Sequence, residues 1–379
     1  MGKLFNLGVV FLLVLTFTFH SFNSVHAQFL DKFKFWKTDS LEHKDGIFIF
    51  PLLYYTPDTR FAAGAVGVYY FNTAKNQSEA DRPTRLSFVK LLGDYTQNRQ
   101  FDVWSSWNIF TDQENYLFKG EVRYRNFPDR FYGIGNDTRA SEEEFYAYDL
   151  FHFKILAMRQ AREKLFIGID YQLAVEYNFK LEEGGQLDQG NIIGYQGGIG
   201  SGVGGVMTYD TRDNVVNAYK GELVEASTYF NSRYIGSDFS FTNINLTFNK
   251  YWEVKKDHVI AINTGMMMNF GGVPFLEMAK VGGSDMLRGY AENRFRDRHF
   301  LGGQVAYRFP VWWRFGMVVF AGVGDVFSSP RDLELNTLKY SFGAGIRFSI
   351  NPKERLNLRF DYGFGRRNNA FYIMLTEAF

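Results

Sequence analysis

The chain has 379 residues, of which 41 are Phe, 23 Tyr, 37 Gly and only 8 Pro; 46% are hydrophobic and 22% charged, a balance that excludes a disordered chain. Lys and Arg number 42 against 41 Asp and Glu, so no basic surplus points to nucleic acid. Cys is absent, which excludes disulfides, cysteine-ligated metals and thiol nucleophiles together. Length alone leaves one domain or several open.

Residues 1–27 read as a secretory signal. Lys3 supplies the positive end, Leu7 to Phe19 is an uninterrupted apolar-plus-Thr run of 13 residues, and Val25-His26-Ala27 offers small residues at a cleavage site before Gln28. That run is short of the about 20 residues a bilayer-spanning helix needs. Residues 28–45 are too few to fold alone and read as a periplasmic leader or small plug. No later stretch approaches the length of an apolar spanning helix. An exported, aromatic-rich chain is then either a soluble β protein or a transmembrane β-barrel.

Period-two alternation decides for the barrel. In Phe241 to Lys250 the even positions are Thr242, Ile244, Leu246 and Phe248, and the odd ones carry Asn243, Asn245 and Asn249. Tyr340, Phe342, Ala344, Ile346, Phe348 and Ile350 share one face, opposite Ser341, Gly343, Gly345, Arg347 and Ser349. Leu356, Leu358, Phe360, Tyr362 and Phe364 alternate with Asn357, Arg359, Asp361, Gly363 and Gly365. Such runs are longer than sandwich strands, and a Gly, Ser, Asn and Arg face suits a wet lumen.

Sixteen strands are expected, in chain order at 46–57, 60–72, 84–97, 99–110, 115–127, 142–160, 164–182, 191–212, 220–238, 240–256, 257–271, 299–313, 314–329, 337–352, 354–367 and 371–379. The barrel domain is thus 46–379, all-β and antiparallel. An even count places both ends on the periplasmic side and puts the connections 128–141, 183–190, 272–298 and 330–336 outside. The connection 73–83 is a long one on the periplasmic side. The glycine run from Gly194 to Gly205 reads as a strand that lets other backbone approach closely, not as a phosphate cradle.

Four motifs, in order along the chain, carry a resemblance. Phe127-Pro128 leads to Phe131-Tyr132-Gly133-Ile134-Gly135-Asn136. Tyr209-Asp210-Thr211-Arg212-Asp213-Asn214 is followed by Lys220-Gly221. The connection 272–298, the sixth outer one by strand count, contains Val281-Gly282-Gly283-Ser284-Asp285-Met286-Leu287-Arg288-Gly289-Tyr290 and then Arg294-Phe295-Arg296-Asp297. Tyr340 to Phe348 closes the series with Gly-x-Gly-Ile-Arg. Over roughly 115–379 the chain resembles the bacterial surface antigen family, the outer-membrane assembly barrels of the BamA/TamA type.

The resemblance implies that the tetrad Leu287, Arg288, Gly289 and Tyr290 folds back into the lumen and that Arg288 pairs with acids on the barrel wall. A guanidinium offers five donors in a rigid fork, which suits it to pinning a long loop. The family's usual wall acids fall near Ala306 and Gly322 here, and neither is acidic. Asp361, on the polar face of its strand, is the first alternative partner, followed by Asp325, Asp285 and Asp297. The hairpin residues Asp210, Arg212, Asp213, Asn214 and Gly221 read as turn-stabilising pairs, with Ala218 where the family often has Pro.

Phe371, Leu375 and Phe379 look like the insertion signal read by the outer-membrane assembly machinery, although Met374 and Glu377 fit it poorly. The resemblance also implies contact with outer-membrane lipid and lipopolysaccharide, a place as client of that machinery, and other outer-membrane or periplasmic subunits as partners. The family's periplasmic POTRA domains, of about 75 residues each, do not fit into the 18 residues of 28–45.

No cofactor, metal-ligand spacing or nucleotide fingerprint is present in the sequence, and the chain is not read as an enzyme. His152 is the least implausible base for a barrel phospholipase, the expected reading being a satisfied strand histidine. Three functions stand open: an assembly barrel working through a seam between the first and last strands, a passive pore or scaffold, and a barrel enzyme.

Overall fold

The computed structural model describes residues 46–56, 59–73, 84–352, 355–366 and 368–379. The expected signal and leader (1–45) and most of the 73–83 connection lie outside them.

Sixteen antiparallel strands close into one barrel. They are β1 (Gly46–Thr56), β2 (Arg60–Phe71), β3 (Ser87–Thr96), β4 (Phe101–Phe110), β5 (Tyr116–Phe131), β6 (Glu144–Arg162), β7 (Leu165–Leu181), β8 (Gly198–Asp210), β9 (Gly221–Asn231), β10 (Phe241–Lys255), β11 (His258–Gly271), β14 (His299–Trp312), β15 (Phe315–Phe327), β16 (Lys339–Asn351), β17 (Leu356–Gly365) and β18 (Asn368–Leu375). Two three-residue strands, β12 (Ala279–Val281) and β13 (Phe295–Asp297), pair with each other inside the long connection 272–298.

Alternation places the faces. Tyr340, Phe342 and Ile346 are exposed outward while Ser341, Gly345 and Arg347 are buried inward, and along β10 Asn243 and Asn249 are buried while Ile244 and Leu246 are exposed. One slip of register would exchange these two sets, so the two-faced pattern fixes every strand. The start of β1 and the end of β18 share one end of the barrel, the hairpin end. The connection 272–298 lies at the opposite, loop end.

Most boundaries fall within three residues of the sequence expectation, and four strands depart from it by more. β5 runs on through Pro128 to Phe131, because beyond Asn126 it pairs only with β6 and a missing N–H on its open side costs no ladder bond. β8 begins at Gly198, because Gly194 and Gly197 turn with positive φ before it. β9 stops at Asn231, where the turn capped by Ser232 takes over. The last strand spans 368–375 rather than 371–379: Thr376 adopts φ 69 and swings the last residues inward.

The barrel closes at a seam of low pairing. β1 pairs with β2 at eleven positions and β17 with β18 at eight. Among the described residues β1 meets β18 at one, Tyr55 opposite Ile373. The Tyr55 and Phe371 rings, 6.2 Å apart, lie across this seam.

Candidate functional site: an arginine loop docked on the last strands

The β12–β13 hairpin gathers the ends of a loop whose tip is the tetrad. Leu287 takes φ 55 and Gly289 φ 115, which reverses the backbone. Leu287 and Tyr290 are buried with Ala279, Val281, Phe295, Phe300 and Val326. Burying Leu287 alone stabilises this seat by roughly 1.5–3 kcal/mol.

The wall beneath the tip is made of glycine. A Cβ on Gly363 would lie 2.6 Å from the Arg288 carbonyl carbon and oxygen, and one on Gly289 2.7 Å from the Gly365 nitrogen. Tyr372 of β18 fixes the orientation: its hydroxyl accepts the Gly289 N–H at 3.1 Å and donates to the Tyr290 carbonyl at 3.0 Å. The Tyr290 hydroxyl donates to the Tyr340 carbonyl at 3.1 Å and accepts the Arg366 N–H at 2.9 Å.

Arg288 is 1% exposed and donates from Nη1 to Asp361 Oδ2 at 2.5 Å, with its guanidinium stacked 3.4 Å over the Phe320 ring. Asp361 is shared: its other oxygen takes Arg347 Nη1 at 2.5 Å, and Arg359 Nη1 lies 3.6 Å from Oδ2. Gly345 makes room for this carboxylate, since an added Cβ would meet Asp361 Oδ1 at 2.0 Å. Of the four acids considered in the sequence, Asp361 is the one the structure brings to Arg288. Asp285 meets Arg359 Nη2 at 3.1 Å, Asp325 is held by Lys339 at 2.9 Å and Asn136 at 3.2 Å, and Asp297 accepts the Arg298 N–H at 2.7 Å. The two positions where the resemblance expected acids are small because other groups fill the space. A Cβ on Gly322 would lie 3.2 Å from Leu287, and Ala306 packs against Phe379.

The sequence did not single out the next members of the cluster, Arg347, Arg359, Arg308 and Glu377. Arg347 Nε donates to both oxygens of Glu377, at 3.0 and 2.9 Å, so it bridges Asp361 to the C-terminal tail 376–379. Arg308 donates to the Phe379 carbonyl at 2.6 Å and lies 3.8 Å from Glu377, and Asn357 donates to Glu377 at 3.0 Å. Burial alone would raise the Glu377 carboxyl, but Arg347 and Arg308 outweigh it and hold it at about 2. The signal that pointed here was the misfit of an acid in an apolar terminal segment.

The hairpin motif lies at the hairpin end, and its groups bond locally and across the mouth. Arg212 forks onto Asp210 with two bonds of 3.0 Å, and Asn214 accepts the Val216 and Asn217 N–H groups. Gly221 has φ 97 and a Cβ there would strike the Thr211 carbonyl. Asp213 accepts the Tyr219 and Lys220 N–H groups and, at 2.7 Å, Arg355 from the β16–β17 turn. Arg308 reaches Asn217 at 3.1 Å, and Ala218 packs with Tyr251, Val259, Ala261 and Phe379, so the hairpin and the tail fill this side of the lumen together.

Phe371 faces outward beside the seam, Leu375 pairs with Leu358, and Phe379 turns inward. His152 Nδ1 lies 3.0 Å from Glu121. A polar cavity of about 600 Å³ remains between the inner faces of β4–β11, lined among others by Lys119, Glu121, Lys154, Glu225 and Tyr229. Among the described residues no group of three His, Cys, Asp or Glu could hold a metal ion.

Residues 82–379 match the Omp85 superfamily domain. Among solved structures the chain is similar to BamA from Haemophilus ducreyi lacking POTRA domains 1–3, with TM-score 0.58 and 13% identity, over 88% of this chain and 71% of that one. It is also similar to CdiB from Escherichia coli (TM-score 0.55, 9% identity, 87% and 63% covered) and to CdiB from Acinetobacter baumannii (0.54, 9%, 87% and 59%). The chain thus spans under two thirds of either CdiB. At these identities the likeness is one of fold. No curated protein sequence matches the chain.

Proposed function

Because residues 82–379 place this chain in the Omp85 superfamily, whose barrel fold implies a Gram-negative outer membrane, we propose that it aids the insertion, translocation or display of other outer-membrane proteins through the seam between β1 and β18. In this reading residues 1–27 are the export signal and 28–45 a periplasmic leader. The loop end faces outward into lipopolysaccharide. The chain is itself a client of the assembly machinery, with other outer-membrane or periplasmic subunits beside it.

The observation that carries the reading is the single described pairing of β1 with β18, Tyr55 opposite Ile373. Unmade ladder bonds leave N–H and C=O groups that a client strand can complete, and a short ladder has little to break before it opens. The tetrad loop occupies one side of the lumen and the hairpin with the tail another, leaving a polar cavity of about 600 Å³, and this partial plug fits the reading better than an open passive pore.

The test is a lock at the paired position. Tyr55→Cys with Ile373→Cys in a chain that has no other cysteine should, when oxidised, stop an unfolded outer-membrane protein from inserting into vesicles that carry the barrel, and reduction should restore insertion. Equal insertion by locked and reduced barrels refutes the seam mechanism and leaves a passive structural barrel.

A further inference from the structure

The rim of the loop end has a step in it. The β3–β4 turn (97–100) ends low, while β5 and β6 run on above it, with β5 beyond Asn126 paired only with β6. An open strand edge invites another strand, but this one is chemically finished. Pro128 has no N–H, its carbonyl accepts Gln100 Nε2 at 3.0 Å, and the Arg130 N–H donates to Asp129 Oδ1 at 2.8 Å. The step is closed to a further strand and leaves a recess instead.

That recess holds about 380 Å³ and is lined by Arg60, Arg99 and Arg130 with Gln97, Asn98 and Phe145. Arg130 and Phe145 stand opposite each other on the outward faces of β5 and β6, the guanidinium 5.7 Å from the ring, so the recess opens on the lipid side of the wall. Glu143 lies 3.1 Å from Arg130 Nε and offsets that charge. Asp129 also borders the recess, but its Oδ2 takes the Tyr146 hydroxyl and the Asn293 amide, each at 3.1 Å. Arg60 and Arg99 are exposed, stand at left-handed turn positions with φ 54 and 64, and make no ion pair among the described residues. Two uncompensated guanidiniums thus face one recess.

Just below it, exposed aromatic side chains cover the outer wall: Phe61, Tyr95, Phe101 and Tyr124. The Gln97 N–H is tied to the Phe61 carbonyl at 2.7 Å, and the Phe101 and Tyr124 rings lie 6.3 Å apart. Aromatic side chains gather where hydrocarbon gives way to headgroups, which sets the recess at headgroup level. A guanidinium at that depth meets phosphate oxygens, and its planar fork of donors matches them. We propose that the recess binds a phosphorylated glycolipid headgroup of the outer leaflet, with the phosphate on Arg60 and Arg99 and the sugar against Gln97, Asn98 and the Phe145 ring. One headgroup then bridges the β1–β2 and β3–β4 turns. The proposal rests on the outward facing of the loop end and not on the seam, so client insertion can fail while this binding holds, and the reverse.

The test titrates the full chain, purified in detergent, with bisphosphorylated lipid A and reads binding by native mass spectrometry. Dephosphorylated lipid A should bind roughly tenfold or more weakly, as loss of a charge-assisted hydrogen bond implies. Arg60→Gln and Arg99→Gln should each weaken binding of the phosphorylated form about fivefold, and together about thirtyfold. Arg331→Gln, exposed at the same end but outside the recess, should leave it unchanged. The comparison of the two lipid A forms needs no variant and serves if the glutamine pair does not fold. Equal binding of both forms overturns the proposal, and so does a folded glutamine pair that binds as the native sequence does. Tighter binding of phosphatidylglycerol would assign the recess to a phospholipid, and displacement by an equal concentration of inorganic phosphate would assign it to the free anion; either result overturns the glycolipid assignment.

Discussion

Among the described residues Asp361 is the one buried carboxylate bonded to both Arg288 and Arg347, with Arg359 at 3.6 Å. Removing its charge and removing that of Arg288 should therefore differ sharply, although each breaks the same 2.5 Å bond. Asp361→Asn leaves three buried guanidiniums facing one another without their common acid, and an uncompensated buried charge costs about 3–5 kcal/mol. Arg288→Met leaves Asp361 with two arginines. It forfeits a charge-assisted bond of about 1.5–3 kcal/mol and the stacking on Phe320, of about 2 kcal/mol in this buried setting. Met recovers part of this, because an apolar side chain of similar volume carries no desolvation cost in that position. The expected net cost is about 2 kcal/mol or less. Equilibrium unfolding of the purified barrel in detergent, followed by the fluorescence of its 6 Trp, measures both. Arg288→Met costing as much as Asp361→Asn would refute the idea that the acid, rather than the loop arginine, is the hub of the cluster.

Three further outcomes follow from the same geometry. Glu377 has a folded value of about 2, below the ordinary 4.5 of the unfolded chain, so its stabilisation is complete above pH 4.5 and fades as pH falls toward 2; the gap in unfolding free energy between the native sequence and Glu377→Gln should be about 3 kcal/mol at pH 7 and shrink in that window, and a gap independent of pH contradicts the assignment. Gly289→Ala forces a side chain into φ 115 and to 2.7 Å from the β17 backbone, so limited proteolysis should cut within 282–294 while the barrel stays folded; an uncut loop means that the tip tolerates displacement. Asp213→Asn weakens two backbone bonds and the Arg355 bond, at a cost of about 1 kcal/mol, and should speed hydrogen exchange at the Tyr219 and Lys220 amides without touching the tetrad loop.

The strands were legible because each shows a different chemistry to two different surroundings, and alternation survives without knowledge of the neighbours. Their ends were less so. Pro128 looked like a stop, yet it stops nothing on a side with no strand partner, and the φ 69 at Thr376 has no sequence signature. The tetrad was legible as a motif, and Asp361 as an acid on an inward face. Arg347, Arg308 and Glu377 were not, because their meeting depends on barrel closure: Arg308 on β14 and Glu377 in the tail after β18 are 69 residues apart in the chain, and only the curvature of the wall and the inward turn of the tail bring them to 3.8 Å. Glu377 showed itself in the sequence only as a defect in an otherwise apolar terminal signal.

The described polar contacts of the tetrad come from β16, β17, β18 and the turn between the last two, and none from β1. Tyr372 belongs to the seam strand itself, and its hydroxyl holds both the Gly289 N–H and the Tyr290 carbonyl. If the seam opens by parting β1 from β18, one described rung is lost there, whereas parting the loop from β18 breaks two buried hydrogen bonds. The weaker joint yields first, so the loop should travel with the C-terminal strands as a single body. Spin labels at Ser284 and Asn369 should then keep a fixed separation when a client is added, while labels at Ser284 and Leu53 move apart. A Ser284–Asn369 distance that changes as much as the other would mean that the loop is left behind on the wall, and that its docking to β18 is the joint that opens.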